Sequence, residues 1–593
     1  MISYQKTMII GAKTKYLMLT MFAFALLVSF KTLGGSMNQY YQDKIDTVLN
    51  CRQKRIASLT SAKDVKLYQA EVRRKLARSF GQLPERTPLN AQVTGKIELD
   101  ELLIDKVIFE SRPGFYVSAL FYRKKNISKP LPAILFLCGH SATGKSAPAY
   151  QEAPQYFAHQ GFAVLSVDPY GQGERREFTG DKAIGPTSEH DLRGKQLLLT
   201  GDFFGTWRLW DAIRALDYLL TRQEVDPQRL GVTGTSGGGT MTTYLNAFDP
   251  RLTMAAPSCY ITSLRYNFGN ELPADAEQNP PFFLSQELDL ADYIIASAPR
   301  PVMILAQDND FFDIRGTREA YDELKKIYSL LGKPDNIRLH TGHGNHSYAP
   351  NHRVAAASFF GCTEEKPEPR LVVLSEKELY CAPDGSVFKI PGARKITDFI
   401  ATKTITPPKV DTTPIEKLNY RVLRPEILRK DPFLYASRFH LERSMLKIVG
   451  TQVFYAPPLV TKVVLSLNGY DGTIPENKIL CLLDVRGHGE CAGTFFNGRS
   501  AENLYTRYAN MLGEPYLEGK VKDVIMALQL LRQWGASHIT LKADNEMAVI
   551  ASYAAQWADA IEFNDTLPTF DQLAKENESS YPEWLFPFNV KLF

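Results

Sequence analysis

The chain has 593 residues, which is too long for a single hydrophobic core and predicts several domains. Hydrophobic residues make up 44% of the chain and charged residues 23%, as in a packed globular protein rather than a disordered one. The 69 basic and 65 acidic residues nearly cancel to a formal charge of +4 and form no basic stripe, which argues against a nucleic-acid partner.

The amino end has the form of a secretory signal. Three lysines at positions 6, 13 and 15 precede an apolar run at 16–30, and small residues at 34–36 suit cleavage. We therefore expect residues 1–36 to be a signal peptide, and the protein to be exported to the periplasm or secreted, with no stable membrane insertion after cleavage. An uncleaved anchor is the alternative, although the apolar run is short for a bilayer span.

The cysteines predict neither a disulfide framework nor a metal site. There are seven of them, which is few and odd in number for an exported chain of this size. No Cys-x-x-Cys or clustered His/Cys spacing is present, so we expect no metal and no cofactor.

The next part of the chain alternates between helices and strands. Helices are predicted for residues 37–95, one of them ending near Gly81, and we expect this segment to pack on the core. Two strands then flank the turn Arg112-Pro113-Gly114. Further along, helical stretches separate four continuous apolar strands at 133–137, 163–167, 230–232 and 301–305. This alternation predicts an α/β domain at 96–362 with a mostly parallel sheet covered on both faces.

The third of these strands runs into Gly234-Thr235-Ser236-Gly237-Gly238, which fits the G-x-S-x-G elbow that holds a serine nucleophile between a strand and a helix. The turn needs glycines on both sides because Cβ atoms there would collide with neighbouring backbone. A helix is predicted from Met241, as an elbow requires. Ser236 is therefore the candidate nucleophile, and a plain Gly/Ser loop is the alternative.

A serine hydroxyl needs a base, and the base needs a carboxylate to orient it. On a sheet of this type the acid and then the histidine follow late strands, in the chain order Ser, Asp, His. After the strand at 301–305 the chain offers three carboxylates, at Asp308, Asp310 and Asp313, from which we choose Asp310. After a further strand at 337–340, His343 and His346 compete for the role of base.

Two N–H groups must also face the oxyanion of the tetrahedral intermediate. One is expected from Gly237, directly after the nucleophile. The other is expected from the loop Cys138-Gly139-His140-Ser141, where the N–H of His140 or of Ser141 is favoured.

These motifs resemble the acetyl xylan esterase-like branch of the α/β-hydrolases, bacterial exported esterases that are also described as dienelactone-hydrolase- or prolyl-oligopeptidase-like. The similarity covers roughly residues 73–362. Besides the elbow, it includes the segments 110–115, 138–141, 144–145, 168–175, 210–219, 258–260, 275–278 and 298–301. The resemblance implies that the acid is Asp310, which opens an Asp-Phe-Phe-Asp-Ile run. It implies that the base is His346, which lies seven residues before Arg353, as His343 does not.

The same family often repeats its hydrolase module, and the carboxyl half is similar to a degenerate second copy. Residues 483–490 resemble 167–174, and 516–534 parallel the helix at 210–219. The segment 541–546 has neither a serine nor flanking glycines where an elbow should stand. We therefore expect a linker and irregular region at 363–445, followed by a degenerate α/β-hydrolase-like domain at 446–593 without nucleophilic chemistry.

The sequence thus predicts an exported serine esterase whose partner is a carbohydrate ester, with an acetyl group implied by the resemblance. A prolyl-oligopeptidase-like peptidase is the first alternative, but the segment before the hydrolase domain is too short for a β-propeller. A carbohydrate-binding pseudoenzyme is the second.

Overall fold

The computed structural model describes residues 37–272, 274–362, 369–430, 433–456, 462–494, 500–563, 569–576 and 581–587. The predicted signal peptide at 1–36 lies outside these ranges. Within them, no helix is both long enough and apolar enough to cross a bilayer.

Two helices open the described chain, α1 (Met37–Ala57) and α2 (Ala62–Phe80). A capping box starts α2, because the Ser61 hydroxyl accepts the N–H of Asp64 while the Asp64 carboxylate accepts the N–H of Ser61. Gly81, with φ of 72°, ends it as the sequence predicts. Both helices bury one apolar stripe against the domain that follows.

Nine strands form the first sheet. They are β1 (Gln92–Glu98), β2 (Leu102–Arg112), β3 (Phe115–Lys124), β4 (Leu131–Leu137), β5 (Ala163–Val167), β6 (Val225–Thr235), β7 (Met254–Ser258), β8 (Val302–Asn309) and β9 (Ile337–Asn345). Their order is β1-β2-β3-β5-β4-β6-β7-β8-β9. The pairs from β1 through β3 to β5 are antiparallel, and those from β5 to β9 are parallel. This is the predicted α/β-hydrolase fold, although its first strand begins inside the segment assigned to helices.

Helices cover both faces of this sheet. They are α3 (Pro148–His159), α4 (Pro186–Leu199), α5 (Phe204–Leu219), α6 (Gly237–Phe248), α7 (Leu264–Gly269), α8 (Ala291–Ser297), α9 (Ile314–Leu330) and α10 (Pro350–Phe359). One face is covered by α3 and α10, which contact each other, and the other by α5, α6 and α8. The carboxyl ends of the parallel strands meet at one edge, where the loops after β4, β6, β8 and β9 converge.

Residues 369–405 wrap around the first domain instead of forming a free linker. They contain the short helices α11 (Glu376–Leu379) and α12 (Ile396–Ile400). The amides of Gln151 and Gln155 bond the backbone of Leu374 and Val372, and the N–H of Cys381 donates to Glu174. These contacts come from distant residues, which is why local sequence patterns did not reveal them.

A second sheet begins at Arg421, inside the segment 363–445 that the sequence analysis predicted to be a linker and irregular region. Its strands are β10 (Arg421–Lys430), β11 (Phe433–His440), β12 (Met445–Gly450), β13 (Lys462–Ser466), β14 (Ile479–Asp484), β15 (His538–Lys542) and β16 (Ala560–Glu562). The order β10-β11-β12-β14-β13-β15-β16 and the strand directions repeat those of the first seven strands of the first sheet. Its helices are α13 (Glu502–Met511), α14 (Tyr516–Gln533), α15 (Asn545–Ala554) and α16 (Phe570–Lys575).

The two sheets also share a position where only glycine fits beside an aspartate. A Cβ on Gly173 would lie 2.2 Å from the carboxylate of Asp168, and one on Gly489 would lie 2.3 Å from that of Asp484. Both glycines stand at the same point after the fifth strand of their sheet. The second domain is therefore a shortened copy of the first, and no counterparts of β8 and β9 occur in the part of it that the structure describes.

The two domains share one continuous apolar core. Helix α1 lies at their junction, where Tyr41 stacks on Tyr505 of the second domain at 5.4 Å and meets Phe268 of the first at 6.3 Å. Helix α13 continues the contact, since the Tyr508 hydroxyl donates to the carbonyl of Leu264. The second domain is thus packed directly behind α7 and the loop that follows it.

Candidate active site

Ser236 stands at the strained turn between β6 and α6. Its backbone has φ of 58° and ψ of −123°, values that a residue other than glycine adopts only under constraint. The constraint is visible on both sides, since its N–H donates to the carbonyl of Ser258 at 3.1 Å and its own carbonyl accepts the N–H of Thr240 at 2.8 Å. Ser236 remains half-exposed while its neighbours in the turn are buried.

The flanking glycines are required because β4 passes too close for any side chain. A Cβ on Gly234 would lie 2.1 Å from the carbonyl oxygen of Leu137, and one on Gly238 would lie 1.9 Å from the same oxygen. The elbow can therefore form only where the sequence supplies glycine at both positions.

The loops after β8 and β9 bring Asp310 and His346 together. Nδ1 of His346 lies 2.9 and 3.0 Å from the two carboxylate oxygens of Asp310, which also accepts the N–H of Phe312. The Asp310 side chain is 2% exposed, and that of His346 is 21% exposed. Because Nδ1–H donates to the carboxylate, Nε2 is left as the basic nitrogen. The ring of Phe311 stacks on the imidazole at 4.1 Å and fixes its plane.

His343 and Asp308 form a second pair of the same kind at 2.7 Å. Its imidazole is 93% exposed and its carboxylate 38% exposed, so water competes for both groups. A pair so open to solvent is poorly placed to orient a base, and the geometry favours Asp310 and His346.

Cys259 connects the elbow to this pair. It follows Ser258, whose carbonyl accepts the N–H of Ser236, and its sulfur lies with the Asp310 and His346 ligand atoms in a group within 4.8 Å. Burial and the neighbouring carboxylate of Asp310 raise the pKa of the Cys259 thiol to about 12, so the sulfur is a neutral packing group here.

The predicted oxyanion donors lie next to Ser236. Gly237 is the first residue of α6, so its N–H has no partner within the helix. The loop after β4 runs beside it, since a Cβ on Gly139 would be 3.1 Å from Cβ of Ser236. This places the backbone of His140 and Ser141 at the rim of the elbow. The Ser141 hydroxyl is used locally, accepting the N–H of Thr143.

A buried polar cluster adjoins this rim. It consists of His140, His190, Asp275 and Glu277, with the Arg208 guanidinium behind it. One carboxylate oxygen of Asp275 lies 2.8 Å from Nε2 of His140 and 2.6 Å from Nδ1 of His190. A Cβ on Gly237 would lie 2.5 Å from Oε1 of Glu277, so the cluster touches the oxyanion side of the elbow.

Charge within the cluster shifts its titration. Burial alone would lower the pKa of His140, but the carboxylates of Asp275 and Glu277 outweigh it and raise that pKa to about 9. Burial would raise the pKa of Asp275, and the two histidines reverse this and hold it well below its usual range. The protonated form of His140 is therefore favoured beside these carboxylates.

Sequence reasoning brought only part of this cluster to notice. His140 was named for its backbone N–H, and Asp275 and Glu277 only as part of a family motif. His190 and Arg208 were missed, because they lie 50 and 68 residues from His140 in the chain and no spacing links them. The fold alone brings them together.

The second domain has a similar strand-to-helix turn, with asparagine at the position that corresponds to Ser236. Asn545 follows β15 with φ of 52° and begins α15, at the point where Ser236 stands in the first domain. Its preceding residue, Asp544, donates its N–H to the side chain of Asn468 at 2.8 Å. No hydroxyl nucleophile occupies this turn.

Comparison with known proteins finds a family model and a relative that are similar to the first domain. The family model described as acetyl xylan esterase (AXE1) matches residues 92–264, which include Ser236 and the loop after β4. The "Putative hydrolase YtaP" of Bacillus subtilis (strain 168) is 26% identical over 292 residues, or 46% of this chain and 91% of that protein.

Two solved structures are similar to parts of the chain. Methylesterase BT1017 aligns with a TM-score of 0.49 and 21% identity, covering 59% of this chain and 78% of that one. A glucuronoyl esterase from Solibacter usitatus aligns with a TM-score of 0.41 and 20% identity, covering 51% of this chain and 94% of that one.

Proposed function

Because residues 92–264 are acetyl xylan esterase-like, we propose that this chain is a serine carboxylic-ester hydrolase that works through an acyl-enzyme. The observation that carries the proposal is the buried Asp310 accepting Nδ1–H of His346, on the same sheet edge as the strained Ser236 turn. Such a carboxylate fixes the tautomer in which Nε2 can accept a proton.

The reaction follows from these positions. Nε2 of His346 takes the proton from the Ser236 hydroxyl as the oxygen attacks the ester carbonyl carbon, and Asp310 stabilises the imidazolium. The N–H of Gly237 and one N–H from the loop after β4 bind the oxyanion. The imidazolium then protonates the leaving alcohol, and water releases the acid by the same steps in reverse order.

The substrate class rests on the family rather than on the geometry. The match to acetyl xylan esterase supports an acetyl group on a polysaccharide as the ester that is cleaved. The signal-like residues 1–36 support export to the compartment where such polymers are met.

Hydrolysis of p-nitrophenyl acetate tests the serine mechanism. We expect Ser236→Ala to lower kcat/KM by at least about 10⁴-fold, because the acyl-enzyme cannot form. Circular dichroism of the variant controls for folding. Equal rates in the wild type and in a folded Ser236→Ala variant would favour the pseudoenzyme.

The substrate class needs a separate measurement. We expect release of acetate from acetylated xylan and no cleavage of a proline-containing peptide at the same enzyme concentration. This expectation rests on the match of residues 92–264 to the acetyl xylan esterase family model. Peptide cleavage that is lost in Ser236→Ala would instead support the peptidase.

A further inference from the structure

The His140 cluster has the donor set and spacing of a metal site. Nε2 of His140 and Nδ1 of His190 lie 3.3 Å apart. In a tetrahedral zinc site with Zn–N bonds of about 2.0–2.1 Å, two ligand nitrogens are about 3.3 Å apart. Four ligand atoms, one from each of His140, His190, Asp275 and Glu277, lie within 4.8 Å of one another.

The ring of His190 is oriented so that its Nδ1 faces the centre of the cluster. Its Nε2 lies 2.6 Å from the carbonyl oxygen of Tyr170, which can only accept a hydrogen bond, so Nε2 carries a proton. Nδ1 lies 2.6 Å from Oδ2 of Asp275, to which it donates a hydrogen bond, and a metal ion bound here would replace that proton. A histidine that donates one ring N–H to a backbone carbonyl and turns the other nitrogen inward is the usual arrangement of a metal ligand.

Both carboxylates have an oxygen to spare. Oδ1 of Asp275 and Oε1 of Glu277 are buried and have no hydrogen-bond partner in the part of the chain that the structure describes. Unpaired buried carboxylate oxygens are costly, and a cation would satisfy them. Arg208 bonds the other oxygen of Glu277, Oε2, while Oε1 lies 3.5 Å from Nε2 of His140 and so faces the cluster.

We propose that His140, His190, Asp275 and Glu277 bind one divalent transition-metal ion of the Zn²⁺ class. Two imidazoles and two carboxylates suit zinc, and also manganese or cobalt, better than calcium or magnesium, which prefer oxygen ligands alone. The His140 side chain is 19% exposed while the other three are buried, so the ion would enter from the active-site side. The sequence predicted no metal because these ligands are widely separated in the chain.

An ion at this position would change the net charge beside the Ser236 turn. Metal binding releases the ligand protons, and with both histidines neutral the two carboxylates and Arg208 leave the cluster with one net negative charge. A divalent ion would change this to one net positive charge beside Gly237. It would thereby favour negative charge on the oxyanion side of the elbow.

The test is metal binding by the full chain. The protein is stripped with a chelator and equilibrated with Zn²⁺, and also with Co²⁺ as a spectroscopic probe. Metal content and titration calorimetry then give stoichiometry and affinity. We expect about one ion per chain, and at least a 10- to 100-fold weaker affinity in Asp275→Asn and in Glu277→Gln, which keep the shape of each side chain.

Two controls locate the site. His343→Ala removes a histidine from the exposed pair with Asp308, and Cys259→Ser alters the other His/Cys/carboxylate group, Cys259-Asp310-His346. Both variants should bind metal within about 2-fold of wild type. No stoichiometric binding by folded wild-type protein, or binding that survives both Asp275→Asn and Glu277→Gln, would overturn the proposal. Neither result depends on esterase activity.

Discussion

His346 and His343 each face an aspartate, but the two pairs differ in their access to water. Asp310 is 2% exposed in the first pair and Asp308 is 38% exposed in the second. We expect Asp310→Asn and His346→Ala to lower kcat/KM on p-nitrophenyl acetate by about 10³- to 10⁴-fold, because the base loses its orientation or is absent.

The matched variants Asp308→Asn and His343→Ala should change the same quantity by less than about 3-fold. Their exposed hydrogen bond contributes little in water. A large loss in His343→Ala together with an active His346→Ala would transfer the role of base to the exposed pair.

His352 makes stability depend on pH. It is fully buried between Ser258 and the carbonyl of Ala306, and burial lowers its pKa to about 4. The unfolded chain, with an imidazole pKa near 6.5, binds more protons than the folded one between pH 6.5 and 4. The stability contributed by the neutral ring is therefore complete above pH 6.5 and is lost as the pH falls towards 4.

We expect this group to account for about 3 kcal/mol of the free energy of unfolding lost across that interval. Urea unfolding at a series of pH values measures it. His352→Gln should flatten the profile, and a wild-type stability unchanged between pH 7 and pH 4.5 would contradict the assignment.

Among single residues, the sequence predicted those whose role depends on their immediate neighbours in the chain. Ser236 was found because a sharp strand-to-helix turn requires glycines within two residues. Asp310 and His346 needed the family resemblance to separate them from their neighbours. The partnership of His140 with His190 and Asp275 could not be predicted, since it spans 50 and 135 residues of chain.

Among the elements, the β6–α6 elbow is the least tolerant of change. We expect Gly238→Ala to unfold the protein or to destabilise it by more than about 3 kcal/mol, because a Cβ there would meet backbone 1.9 Å away that cannot move aside. Gly185→Ala is the control, since the nearest atom to its Cβ is 3.9 Å away. Thermal unfolding compares the two, and similar stabilities would show that the elbow can relax.

The copied turn in the second domain allows the reverse experiment. Asn545 has φ of 52°, so Asn545→Gly should stabilise the protein by up to about 1 kcal/mol by relieving the left-handed backbone. Asn545→Ser in a Ser236→Ala background should remain inactive, because no histidine follows it in the described residues to act as a base. Hydrolysis by that double variant would contradict the reading of this domain as non-catalytic.

Element prediction succeeded where burial imposes a simple pattern. The strand predicted at 163–167 is β5 with the same bounds, because a strand covered on both faces is uniformly apolar. The strands β10 and β11 were missed, since β10 is the edge strand, β11 lies next to it, and they carry charged residues such as Arg421, Arg429 and Arg438. Such segments are strands only because a neighbour pairs with them.

The molecule as a whole is held together by charged as well as apolar contacts between its domains. The Arg507 side chain is 5% exposed and pairs with Asp191 of the first domain at 2.8 Å and with Glu583 at 2.9 Å. It also donates to the carbonyl of Ala274, next to Asp275. The second domain thereby supports the loop that carries half of the His140 cluster.

We expect Arg507→Ala to lower the free energy of unfolding by about 3 kcal/mol, because it leaves two carboxylates without their cation. Calorimetry of the wild type should give one transition for both domains, and the variant should separate them. The exposed pair of Lys389 with Asp384 supplies the control, since Lys389→Ala should change little. Two transitions in the wild type would contradict a shared core.

The duplication was visible in the sequence through isolated motifs, but the joining of the two copies was not. The motif at 483–490 indicated the correspondence with 167–174, and in each copy one of its glycines, Gly489 or Gly173, lies against an aspartate carboxylate. The packing of α1 against α13 depends on side chains more than 460 residues apart, which no local pattern records.

The packing of α1 against the second domain can form only late in translation. Lys44 reaches Glu514, 470 residues further along, so this side of α1 has no permanent cover until nearly the entire polypeptide has left the ribosome. At translation speeds of about 5–20 residues per second the wait is roughly half a minute to a minute and a half. During this interval Tyr41 has no Tyr505 to pack against. The first helix, rather than the last, therefore presents exposed apolar surface to chaperones.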